Sequence, residues 1–322
     1  MCRRVEEFLS HRQVPFTTRD VDREPLDPAE LWALLNRKQG RLRVPFTSLN
    51  DGEDVVLGYD PRRLEEVFVH RALSGRLDDE LAAARAVYDD FTASRLDARW
   101  AIAEIDHDGT RYPYTDPNAV VCTGDGRLEL TIRPFSRYHD SIQVLNNPKQ
   151  LYVSTRRFPT PPGSEVTFAS DMAITTYGQI PFNLRDAFGT MNLLDFSTGM
   201  VLDFAATNDT VFVVYERLLL PGTTTPEEHF THRVVLEVDA GPGVAHRYDI
   251  AYDRDRGHAR WFVDGELVYW AEVPVEVEGF NLGMGLFSSR EIDRYTRGER
   301  EHGQGATGRW GPWAVTTRGL RP

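Results

Sequence analysis

Two carboxylates stranded in apolar sequence are the first residues in this chain that could do chemistry. Asp203 lies between Val201 and Ala205 in Gly199-Met200-Val201-Leu202-Asp203-Phe204, and Glu216 alternates with Phe212 and Val214. A carboxylate drawn out of water costs several kcal/mol unless it is paired or used. Such a pair points to general acid/base chemistry. His139, His232 and His302 could add a group that titrates near neutral pH. These five form the candidate catalytic set. Tyr138, Gln143, Asn192, Asp195, Tyr215, Trp261 and Trp270 are the candidate substrate contacts, because polar tips and aromatic planes suit sugar rings or polycyclic ligands. Alternation along a strand puts Tyr215 and Glu216 on opposite faces, so only one of them can reach a cleft.

Metal and cofactor chemistry find little material. The cysteines are Cys2 and Cys122, and their spacing matches no zinc or iron–sulfur pattern. The acidic turns at Asp106-His107-Asp108-Gly109 and at Asp125 fall short of a complete calcium loop. Gly-rich stretches do not pass from strand to helix, so no nucleotide loop is expected. The expectation is a protein without cofactor or metal.

Short alternating segments must position these groups. RLELTI at 127–132, SIQVL at 141–145, QLYVST at 150–155 and EVTFASDMAIT at 165–175 read as strands. So do FGTMNLLDF at 188–196, GMVLDFAAT at 199–207, TVFVVYERLL at 210–219, HRVVLEV at 232–238 and HRYDIAYD at 246–253. ARWFVDGELVYWAEV at 259–273 is a hairpin turning at Asp264-Gly265. FNLGMGLFS at 280–288 and GRWGPWAVTT at 308–317 close the series. Roughly twelve strands at short spacing predict a two-sheet antiparallel sandwich over 98–322. DDELAAARAVYDDF at 78–91 reads as helical, within a linker at 73–97. Residues 1–72 read as a small α/β unit of order α-β-α-β-β-α, with VPFTSL at 44–49 and DVVLG at 54–58 joined through Asn50-Asp51-Gly52.

Two resemblances follow. His246-Arg247-Tyr248-Asp249-Ile250, then Ala259-Arg260-Trp261-Phe262-Val263-Asp264-Gly265-Glu266-Leu267-Val268, resembles the late hairpin of the concanavalin A-like lectin/glucanase superfamily. Gly303-Gln304-Gly305 before Trp310-Gly311-Pro312-Trp313 is similar to its terminal strand. The resemblance is closer still to an uncharacterised bacterial family of that fold, through Tyr114–Val120, Asn192 with Leu194–Gly199, and His302–Gly308. It implies a mainly β, concanavalin A-like jelly roll. Glucanases of this fold carry E-x-D-x-E on one strand. The matching places here hold Met200, Leu202 and Phe204, so the standard glucanase mechanism is not expected. The first segment resembles a truncated glutaredoxin through Cys2-Arg3-Arg4-Val5, Phe8-Leu9, Val14-Pro15-Phe16, Val44-Pro45 and Val56–Asp60. The family's first strand and nucleophilic cysteine have no counterpart in it.

Composition sets the outer bounds. The 322 residues carry 37 Lys+Arg against 49 Asp+Glu, a formal net charge of −12. That balance argues against a general nucleic-acid binder. No run of about 20 apolar residues spans a membrane, and the polar opening predicts a cytoplasmic protein. The expected function is an acid/base enzyme of bacterial secondary metabolism, a cyclase, dehydratase or isomerase acting in the sandwich cleft on a small organic or glycan-like ligand. The alternatives are a non-catalytic carbohydrate- or ligand-binding module and an atypical glycoside hydrolase.

Overall fold

The computed structural model describes residues 46–49, 54–57, 86–107, 110–136, 149–220, 222–289 and 304–319. The chain divides into two compact units, Met1–Glu80 and Leu81–Pro322. In the first, β1 (Phe46–Leu49) and β2 (Asp54–Leu57) pair antiparallel with Phe46 opposite Leu57. This is the hairpin expected around the Asn-Asp-Gly turn. The remaining expectations for 1–72, the truncated glutaredoxin features and Cys2 among them, lie outside the described residues. None of the described residues is helical, and no described helix is long and apolar enough to cross a membrane.

The second unit is a sandwich of two antiparallel sheets. In one, β7 (Ala119–Gly124), β8 (Arg127–Ile132), β19 (Gly305–Trp310), β10 (Ser164–Tyr177), β15 (Ala245–Asp253), β16 (His258–Val263) and β17 (Glu266–Glu272) lie side by side. Beside β19, β20 (Trp313–Gly319) pairs the first half of β10 and carries β3 (Ala86–Asp89) on its far edge. The other sheet runs β4 (Trp100–Ile102), β9 (Lys149–Pro159), β18 (Gly279–Ser288), β11 (Ala187–Asp195), β12 (Met200–Ala206), β13 (Val211–Arg217), β14 (Phe230–Val235). A small hairpin joins β5 (Glu104–His107) to β6 (Thr110–Pro113).

Alternation explains the core. Met200, Leu202 and Phe204 of β12, Met191 and Leu193 of β11, and Val211 and Val213 of β13 meet Leu128, Leu130, Phe168, Ile250 and Trp261 of the facing sheet. Burying a side chain of this size is worth about 1.5–3 kcal/mol, so the register of these strands is firmly fixed. The three places that would hold glucanase carboxylates therefore point between the sheets. Their odd-numbered neighbours Val201, Asp203 and Ala205 point to the opposite, outer face.

Two local expectations are corrected. The helix predicted at 78–91 is interrupted by β3, where Ala86, Val87 and Asp89 pair with β20. Strand pairing overrides the Ala-rich helix propensity. The single strand predicted at 308–317 is two strands running on in the same direction along β10, interrupted at Gly311-Pro312, where the Gly311 amide bonds the Asp171 carbonyl. At the end of β3, Asp89 ties the entry segment down. Its carboxylate accepts from Trp100 Nε1 at 2.8 Å and the Phe91 amide at 2.9 Å, and lies 3.1 Å from Arg99.

Candidate active site

The outer face of the second sheet gathers the polar groups. Register places Asn192 of β11 directly opposite Asp203 of β12. Asp203 faces Val214 of β13, and Glu216 lies two residues further along that strand, on the same face and on the diagonal. Thr231 of β14 sits opposite Glu216, and its hydroxyl donates to Glu216 Oε2 at 2.9 Å. Thr190 Oγ1 donates to Asn192 Oδ1 at 2.7 Å. That bond uses the amide oxygen and leaves the Asn192 Nδ2 donor for Asp203. On the other side of Asn192 is Gly283 of β18. A Cβ at Gly283 would stand 3.0 Å from the Asn192 Cβ, so any side chain there would crowd Asn192.

This face is closed as well as polar. Asp203 is 6% exposed, Glu216 5% and Asn192 2%. Leu151, Leu194, Val201 and Leu218 pack on one side of the pair, and Phe188, Ala205, Phe212 and Val214 on the other. Burial and the neighbouring Glu216 charge raise Asp203 well above the usual carboxylate range, against a smaller opposing effect of Asn192. Burial also raises Glu216, but Thr231, Arg233, Lys149 and His229 all favour its charged form. Both carboxyls are therefore pushed toward their protonated forms, Asp203 more strongly than Glu216. Asp203 Oδ1 is buried with no hydrogen-bond partner.

The other candidates are placed differently. His232 is exposed on β14 and stacks on Tyr215, 6.0 Å between ring centres, on the face away from Glu216. Tyr215 points into the intersheet core and donates from its hydroxyl to the Glu272 carbonyl. Trp261 is fully buried in the same core, where no ligand reaches its plane. Trp270 lies half-buried on edge strand β17, 5.5 Å from His258. Asp195 caps the β11–β12 turn, accepting from Ser197 Oγ, Thr198 Oγ1 and Arg157. Tyr138, His139, Gln143 and His302 lie outside the described residues. Of the described candidates, Asp203, Glu216 and Asn192 come together. Thr190, Thr231 and Arg233 join them without having been singled out. Their shared face depends on strand register, which no local pattern prints. Arg233 is held by donating to the Leu184 carbonyl at 3.1 Å and Ser289 Oγ at 2.9 Å.

Among the described residues no three His, Cys, Asp or Glu side chains cluster as a metal site would require. Two surface clefts, of about 430 and 390 Å³, lie apart from the pair. One is lined by Tyr88, Arg99, Arg156 and Phe158, the other by Leu96, Trp100, Val121 and Tyr152.

The described residues form a two-sheet β-sandwich with two buried carboxylates, Asp203 and Glu216, on the outer face of one sheet. Residues 88–319 match the model of a family described as "Family of unknown function (DUF6081)", and the chain belongs to that family. No curated protein matches it. Among solved structures, an endo-1,3-β-glucanase from Streptomyces sioyaensis aligns at 14% identity and TM-score 0.48, over 74% of this chain and 97% of that one. The catalytic domain of a laminarinase from Thermotoga petrophila aligns at 12% identity and TM-score 0.46, over 74% and 99%. A sialidase aligns at 13% and 0.42 over 72% of this chain, which spans only 18% of the sialidase chain. A transglycosylase and an alginate lyase also align. These carbohydrate-active enzymes overturn the expectation of secondary-metabolism cyclase chemistry. The glutaredoxin-like label is corrected with it, since the matches are to β-sandwich enzymes and the family match begins at residue 88.

Proposed function

We propose that this sandwich is an atypical glycoside hydrolase, with Asp203 as general acid and Glu216 as general base. One observation carries the reading. Two buried carboxylates share the outer face of one sheet on neighbouring strands, Asp203 raised well above the usual carboxylate range by burial and the neighbouring Glu216, and Glu216 raised by burial against the opposing pull of Thr231 and nearby cationic groups. Glycoside hydrolysis asks for such a pair. The Asp203 carboxyl gives its proton to the glycosidic oxygen as the bond to the anomeric carbon breaks. The Glu216 carboxylate takes a proton from the attacking water, and Asn192 holds Asp203 in place. The two residues occupy diagonal positions on neighbouring strands, a residue spacing of roughly 7–8 Å that lets both carboxyls address one glycosidic bond.

The test is reducing-end release from β-1,3-glucan, mixed-linkage β-1,3-1,4-glucan and alginate, with wild type, Asp203→Asn and Glu216→Gln. The expected result is turnover of one polymer by wild type and at least a hundredfold loss in each variant. Absence of product from all three would overturn the hydrolase. If oligosaccharide binding persisted in that case, a binding module would stand in its place.

A further inference from the structure

Four non-glycine residues among those described have positive φ: Phe91, Asp125, Phe182 and Asp264. Asp125 and Asp264 sit in tight Asp-Gly turns, where a short polar side chain tolerates the left-handed region. Phe91, at φ 50°, is 2% exposed and its ring packs against Trp100, so core burial offsets the strain. Phe182 differs. Its φ is 61°, a conformation a bulky residue rarely adopts, yet its side chain is 74% exposed. Among the described residues no burial offsets the strain at a position that would suit glycine best.

The conformation is enforced. The Phe182 amide donates to Asp209 Oδ2 at 2.9 Å. Asp209 is fixed in turn by Gln179 Nε2, Thr207 Oγ1 and Thr210 Oγ1, at 3.0, 2.9 and 3.0 Å. The Ile180 amide donates to Asp186 Oδ2 at 2.6 Å. The loop therefore presents Phe182 rigidly, with Ile180, 53% exposed, two residues before it. It also adjoins the carboxylate face. Leu184 packs on Phe188, Ala205, Phe212 and Val214, and its carbonyl accepts from Arg233. Phe182 is two residues from Leu184, within about 7 Å of chain.

We infer that Phe182 is a stacking platform at the rim of the carboxylate face, and that it holds a pyranose ring of the glycan by its apolar face. Strain kept at an exposed aromatic is accounted for when a ligand covers the ring. Pre-fixing the ring also removes the ordering cost on binding. The inference rests on the glycan reading above.

The experiment is calorimetric titration of a β-1,3-linked glucose hexamer and a mixed-linkage β-1,3-1,4 tetramer into full-length Asp203→Asn protein, with and without Phe182→Gly or Phe182→Ala. Phe182→Gly relieves the backbone, so its melting temperature is expected to hold or rise while affinity falls about tenfold. In otherwise wild-type protein, Phe182→Gly should raise KM and leave kcat near its original value. Unchanged affinity in a folded Phe182→Gly protein overturns the platform and leaves the hydrolase reading standing. Binding that depends on Phe182 without any turnover upholds the platform and overturns the hydrolase. No binding of either oligosaccharide overturns both.

Discussion

Asp203 holds a carboxyl where water is excluded and a second carboxyl is its neighbour. Such a group binds its proton more tightly in the folded state than in the unfolded one. Between the unfolded and folded pKa values the native state carries the extra proton, so stability falls as pH rises through that window and is fully present only below it. Asp203→Asn removes the penalty and should stabilise the protein at pH 7 by on the order of 1 kcal/mol, about 2–4 °C in Tm. The gain should shrink to nothing as the pH is lowered toward the ordinary aspartate range. Thermal melts from pH 4 to 8 check this, and a pH-independent gain would contradict it. In the proposed hydrolase the same proton shapes the rate. Activity should decline on the alkaline side as Asp203 loses it and on the acid side as Glu216 gains one. Asn192 opposes the upward shift of Asp203. Asn192→Leu should therefore move the alkaline limb to higher pH, which a kcat/KM–pH profile reads directly.

At the scale of elements, the site depends on which strands lie together and in what register. Gly283 lets β18 approach β11 where Asn192 points outward. Gly283→Ala would press its Cβ on Asn192 Cβ and Leu194 Cδ1, at 3.0 and 3.1 Å. Overpacking of this kind costs about 1–3 kcal/mol, and urea denaturation should show it along with reduced turnover as Asn192 moves. Much of this level was legible in the sequence. Alternation gave β8 at its observed bounds and placed most long strands within a few residues. The isolation of Asp203 among apolar neighbours marked it before any coordinates. The helix predicted at 78–91 failed because the pairing partner of β3 lies more than 200 residues away, and local propensity carries no trace of it. Thr190, Thr231 and Arg233 were hidden for the same reason. Trp261 and Tyr215 were assigned to ligand contact because an aromatic strand reads alike whether its ring faces a core or a cleft.

At the scale of the molecule, the sandwich begins earlier than its clearest strands. The sequence placed its start at residue 98, but Asp89, Phe91 and β3 already belong to it. Phe91, Trp100 and Trp313 pack together, and Asp89 bonds both the Trp100 ring and the Phe91 amide. A fragment of residues 81–322 should unfold in one cooperative step at a denaturant midpoint close to that of the same unit in the full chain. A fragment of residues 98–322 should lose about 3–5 kcal/mol, the scale of a deleted core aromatic. Equal midpoints for the two fragments would show that the entry segment contributes nothing.

The division of the two carboxylates between β12 and β13 has a consequence for how this chemistry can evolve. When acid and base sit on one strand, the pleat of a single backbone dictates how far apart they stand. Here the gap is set by the lateral shear and twist of two separate chains, which vary by degrees with packing on either side. Distant substitutions could widen or narrow the gap without touching either carboxylate. Under the proposed mechanism a lineage could thereby drift between the two stereochemical outcomes of sugar cleavage while keeping the same pair of acids.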